Sequence, residues 1–134
     1  MEMDKMGRGL HRWTETRSLN QIHLSSPYRG GTSLELTLRH SPDLGKDAFI
    51  TVNRGQLMCH SGDCSVTLRF DEAKPIKWRG MPPSSASSRA IFLANYPRLL
   101  SLLRTAKRLQ VEVEFYNEGR HIFEFDVGGL VWDK

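Results

Sequence analysis

The sequence predicts a mainly β (α+β) fold, an antiparallel β-sandwich or open barrel with one amphipathic helix near residues 97–108. Three observations lead there. Several segments alternate apolar and polar residues with a period of two, a single segment repeats at 3.6, and short runs rich in Gly, Pro, Asn and Asp separate them. At 134 residues the chain has the length of one ordinary domain. The expected division is a flexible N-terminal arm over residues 1–18 and a single β-rich domain over 19–134, without internal repeats.

Residues 1–18 are polar and charge-rich with Trp13 as the one large anchor, which suits an arm or a frayed first strand. Ile22 and Leu24 then share one side of NQIHLS, and PYRGG at 27–31 supplies turn chemistry. In SLELTLRH, Leu34, Leu36 and Leu38 face one way and Glu35, Thr37 and Arg39 the other, as in a half-buried strand. SPDLGKD reads as a loop, AFITVN as a strand and NRG at 53–55 as its end. SVTLRFD puts Val66, Leu68 and Phe70 inward, PIKWRG reads as a further short strand, and GMPPSSASSR as an exposed loop.

The period changes after RAIFLAN. PRLLSLLRTAKR places Leu99, Leu102, Leu103 and Ala106 on one apolar arc. Pro97 suits a first helical turn, and Lys107 and Arg108 suit the negative end of a helix dipole. The chain closes on a hairpin in which Leu109, Val111, Val113 and Phe115 alternate with polar residues, NEG turns at 117–119, and His121, Phe123, Phe125 and Val127 answer on the return.

With 39% hydrophobic and 25% charged residues, the composition is that of a globular chain. No apolar run approaches the roughly 18–20 residues of a spanning helix, and MEMDKMGRG lacks the apolar h-region of a signal peptide. The net charge of +4 raises the question of anionic partners. The basic residues are scattered, which disfavours nucleic acid; the candidate polyanion contacts are Arg98, Arg104, Lys107 and Arg108 on the helix. That basic face also describes nearly any surface helix packed on a core.

GQLMCHSGDCSVTLRFD holds both cysteines, Cys59 and Cys64. A structural zinc site needs four N or S ligands, and His60 and His121 do not complete a recognised spacing. A thioredoxin-type centre needs C-x-x-C at a helix N-terminus, whereas C-x4-C here joins extended segments. A disulfide across the turn HSGD leads; closing so short a loop is worth about 2 kcal/mol in chain entropy, and it implies an oxidising compartment. Two independent free thiols are the alternative.

Glu112, Glu114, Glu124 and Asp126 share one sheet face, where paired carboxylates can serve glycosidase or metal chemistry. A solvated charge ladder, with Arg39, Arg69 and Lys77 standing alongside, explains them as well. No G-x-S-x-G, P-loop or dinucleotide-binding glycine pattern occurs. His121 reads as a satisfied core or rim histidine. The expectation is therefore a non-enzymatic chain with no catalytic residues, no metal and no cofactor. Trp13, Tyr28, Trp78 and Trp132 are candidates for lining a ligand groove between sheet and helix.

DKM near the start, then SLN, PYRGG, LTLR, GQLMC, CSVTLRFD, IFL, a leucine- and lysine-bearing helix and VEVEFYNEGRHIFEFDVGGLVW run in an order that resembles a family of uncharacterised bacterial domains. These domains follow signal peptides or lipoprotein leaders and are loosely similar to invasion-associated-locus-B-type proteins. The similarity spans about Asp4 to Trp132. It implies a Cys59–Cys64 disulfide, no carried-over catalytic residues, and a periplasmic, outer-membrane-anchored or secreted module. Such a module would bind a protein or envelope partner, in host contact or as an antigen. The sequence departs from the family in showing no leader. The alternative is a cytoplasmic domain that binds nucleic acid or another polyanion through the basic helix face.

Overall fold

The computed structural model describes residues 2–3, 10–25, 30–43 and 45–132. It is mainly β and antiparallel, with one helix. In chain order the elements are β1 (Glu2–Met3), β2 (Leu10–Arg17), β3 (Leu34–Ser41), β4 (Gly45–Val52), β5 (Cys64–Phe70), β6 (Ile76–Met81), β7 (Ala90–Leu93), α1 (Tyr96–Thr105), β8 (Arg108–Phe115) and β9 (Gly119–Asp126). They form one sheet ordered β1-β2-β3-β4-β7-β6-β5-β8-β9.

Alternation sets the two faces of this sheet. Leu34, Leu36, Leu38, Ile50, Val66, Leu68, Val111 and Val113 are all buried on the inner face, as period two requires. Phe115, Phe123 and Phe125 fill the middle, with Phe115 and Phe123 packed at 6.0 Å between ring centroids. Seven successive antiparallel pairings separate β2 from β9, so the end of β2 and the start of β9 lie at the same end of the sheet. There the sheet curls onto itself: Leu19 N donates to Glu124 O at 2.7 Å. One open antiparallel sheet with one helix is what the expected open barrel or sandwich requires, and we call its curled form a barrel.

Of the two readings of residues 1–18, an arm or a frayed first strand, residues 10–17 form a strand, β2, which pairs with β3 from Arg12↔His40 to Arg17↔Glu35. The loop expected at SPDLGKD also shrinks, because β3 and β4 run on to Ser41↔Gly45. Gly45 adopts φ +77°, a left-handed turn conformation open to glycine at little cost. PYRGG falls largely outside the described residues.

Helix α1 joins β7 to β8. Three antiparallel steps separate those strands, so the connection crosses one end of the barrel. Asn95 caps it, accepting from Arg98 N through its side chain at 3.4 Å. The buried arc is Leu99, Leu100 and Leu103; Leu102, expected inside, is only partly buried. The helix also ends at Thr105, three residues short of the expected Arg108.

A tertiary contact stops it. The Asp71 carboxylate accepts from both Lys107 N and Arg108 N at 2.9 Å, and Asp71 N donates to Arg108 O at 2.9 Å. These bonds commit the chain to β8 before another helical turn can form. The N–H groups of Arg108 and then Lys107 hold the Asp71 carboxyl below the ordinary carboxylate range. A lowered folded-state value means that the stabilisation is complete above the unfolded value of about 3.9 and is lost as pH falls through the folded one. Melting temperatures of the native protein and of Asp71→Asn, followed from pH 7 towards pH 2, should therefore differ most at neutral pH and converge in acid. Asparagine keeps an acceptor and tolerates the φ of +51° at this position, so charge is the variable tested.

Candidate functional site

The two edges of the curled sheet meet over only part of their length. Asn20 makes the junction: its Nδ2 donates to Ile122 O at 3.0 Å and its Oδ1 accepts from Glu124 N at 2.8 Å. One side chain thus imitates the hydrogen bonds of a neighbouring strand. Beyond Glu124 the edges separate. Strand β9 ends at Asp126, Gly128 and Gly129 turn the chain, and Trp132 reaches the helix, where its Nε1 donates to the Tyr96 hydroxyl at 2.6 Å. Burial pushes the Tyr96 phenol above its ordinary range, with the Trp132 bond opposing.

The gap left between β2 and the turn after β9 is a cavity of about 330 Å³. Its floor is Leu36 and Leu38 of the inner face, and Val127 and Leu130 form its far wall. Thr14 and Thr16 occupy the inward positions of β2, and Glu15 and Asp126 stand at the mouth, one from each edge. Backbone groups reach it too. Ser18 N donates to Leu34 O, so Thr14 and Thr16 bond towards β3 and the N–H and C=O of Glu15 turn to the seam. Outside the mouth, the Glu35 carboxyl is raised by partial burial first and then by the neighbouring Glu15 carboxylate, with Arg17 opposing.

Asn20→Ala removes both side-chain bonds at the junction. The expected cost is about 1 kcal/mol, read by chemical denaturation. Amide exchange should accelerate at Glu124 while Val113, in the sheet interior, stays protected.

The cysteines are joined: Cys59 and Cys64 form a disulfide. Ser61 and Gly62 take φ +54° and +79°, and His60 and Asp63 exchange backbone bonds in both directions at 2.8 and 3.0 Å. This is the two-residue hairpin whose turn needs positive φ at both centres. Cys64 is fully buried. Among the described residues no group of three or more His, Cys, Asp or Glu could hold a metal ion.

The expected aromatic groove is not assembled from the residues described. Trp78 is buried beside Phe70, with its Nε1 donating to Ala94 O at 2.8 Å. Trp132 lies on the helix side against Tyr96, and Trp13 stands 40% exposed opposite Arg39 on the outer face. Tyr28 lies outside the described residues. The basic helix residues are partly engaged: Arg98 stacks over Trp78 at 5.0 Å, and Arg104 donates to Trp132 O at 3.4 Å. The backbone N–H groups of Lys107 and Arg108 are held by Asp71.

The acidic stripe is divided among partners other than those expected. Arg120 bonds Glu112 at 3.0 Å and lies 4.0 Å from Glu114, Gln110 donates to Glu124 at 3.0 Å, and His60 lies 3.3 Å from Glu114. Arg39 instead forks onto Asp47 over Phe49, and Arg69 pairs with Glu72. His121 is a half-buried rim histidine, its Nε2 2.9 Å from Glu118 O and its ring edge-on to Phe115. Asp126, opposite Arg108, carries the stripe to the rim of the seam cavity.

The seam residues were hidden for different reasons. WTETR carries a period-two signal that could have placed Thr14 and Thr16 on one strand face, whereas Asn20 has no local signal for a partner a hundred residues away. No family model, curated protein or solved structure matches the chain. No helix among the described residues is long and apolar enough to cross a membrane.

Proposed function

We propose that this chain is a binding module without catalysis, and that its binding site is the cavity in the barrel seam. The cavity carries this reading: its 330 Å³ sits at the lower end of small-molecule pockets, and an apolar floor beneath a few convergent polar groups is the usual composition of such sites. The half-joined seam leaves it open to the outside, and the Asn20 junction holds the two edges at one end. The acidic stripe, divided among Arg120, Gln110 and His60, offers no comparable hollow.

The same proposal places the module in an oxidising compartment of a bacterium, periplasmic or beyond. Its supports are the Cys59–Cys64 disulfide and the resemblance to exported bacterial domains. Thiol titration of protein prepared without reductant from its own host should find no free cysteine; two free thiols would overturn the compartment.

Protein-observed NMR with hexylamine, hexanol and hexanoate tests the binding site. At least one probe should shift the signals of Thr14, Thr16, Leu36, Leu38 and Val127 in a saturable manner. If none of the three does, the seam is no binding site and the reading falls.

A further inference from the structure

We infer that the seam cavity selects a compact ligand with an apolar body and a cationic, hydrogen-bond-donating head, a primary amine above all. The inference rests on the seam being a binding site and adds the chemistry of its occupant. Size sets the first limit. A volume of about 330 Å³ suits a compact molecule. The floor of Leu36 and Leu38 with the wall of Val127 and Leu130 sets the second, since only an apolar body gains by displacing water there.

The mouth sets the third. Glu15 and Asp126 flank it from opposite edges, and the Glu15 backbone C=O faces it from β2. All are acceptors. Among the described residues that line the cavity there is no Lys, Arg or His. Arg108 stands opposite Asp126 on the β8 side, away from the seam, and no ion pair joins the two. Asp126 Oδ1 accepts from Gly128 N at 3.1 Å, so the carboxylate is held at the rim of the turn that opens the seam.

The sign is local. The chain carries a net charge of +4, so a long-range field alone would favour anions, yet the groups nearest the cavity are acidic. At a few ångströms they outweigh distant cations, which salt screens. A carboxylate head would meet two carboxylates, with the Thr14 and Thr16 hydroxyls and the Glu15 N–H as neutral donors set against that repulsion. An ammonium would have the two carboxylates and the Glu15 C=O as acceptors for its N–H groups.

Calorimetric or NMR titration at pH 8 with hexylamine, hexanol and hexanoate, which share one apolar body, separates the contributions. Hexylamine should bind about tenfold more tightly than hexanoate, the product of two screened charges worth a few-fold each, with hexanol between them. The double variant Glu15→Gln, Asp126→Asn keeps the cap on Gly128 and should bring the ratio within about twofold; each single variant should fall between. At 1 M NaCl the native ratio should also shrink. Hexanoate binding as tightly as hexylamine, or a ratio unchanged in the double variant, would overturn the inference while leaving the seam a binding site. Absence of binding by all three probes would overturn both.

Discussion

Phe123→Ala is expected to destabilise the protein by about 3–5 kcal/mol, a large share of the margin of a domain this size. The Phe123 side chain is fully buried, packs against Phe115 at 6.0 Å and stands opposite Val111 on β8. Removing the ring leaves a hollow in the middle of the barrel. The surrounding sheet cannot collapse into it, because β8 and β9 are held by a ladder running from Arg108↔Asp126 to Phe115↔Gly119. Urea unfolding should show a lower midpoint with nearly the same slope. Ile122→Ala is the control. That side chain points outward and is 47% exposed, so its loss should change stability by no more than about 0.5 kcal/mol. Equal losses in the two variants would show that the inner face of β9 is not the core.

Gly80→Val should cost about 2–3 kcal/mol or more, for the opposite reason. A β-carbon at Gly80 would lie 2.6 Å from the Cys64 carbonyl oxygen and 2.6 Å from a methyl of Ile91. One obstacle is backbone, so it cannot rotate away. Gly80 is paired with Cys64 on one side and Leu93 on the other, and relief would require β5, β6 and β7 to separate beside the disulfide. The measurement is again the denaturation midpoint. Gly62→Asn gives the contrast: Gly62 has φ +79° with nothing within 4 Å of an added β-carbon, and asparagine tolerates the left-handed region. Its effect should stay within about 1 kcal/mol. If Gly80→Val proved as mild, the close approach of the three strands would be refuted.

These two sites differ in how far they can be read from the chain. Phe123 belongs to the pattern HIFEFDV, whose alternation marks it as inward without any structure. Gly80 gives no such sign: in PIKWRGMPP it reads as the end of a short strand, and only the approach of Cys64 and Ile91 shows why a side chain is excluded. The same division holds around the seam. Asp126 is visible as a carboxylate on an outward position, but its place at a cavity mouth depends on β2, a hundred residues earlier in the chain.

By itself the sequence determined what is local: which segments are extended, which face of each strand is apolar, where the helix begins, and the hairpin between Cys59 and Cys64. Period two, period 3.6 and turn chemistry act between residues a few positions apart, so each leaves its mark on a short stretch. Only the tertiary structure decided the strand order, the early end of α1 at Thr105, the junction at Asn20 and the cavity beside it. Each of these joins groups distant in sequence: Asp71 with Lys107 and Arg108, Asn20 with Ile122 and Glu124, Thr16 with Leu130. Such contacts are specified by how a whole sheet curls and closes, a property that no single stretch of alternation contains.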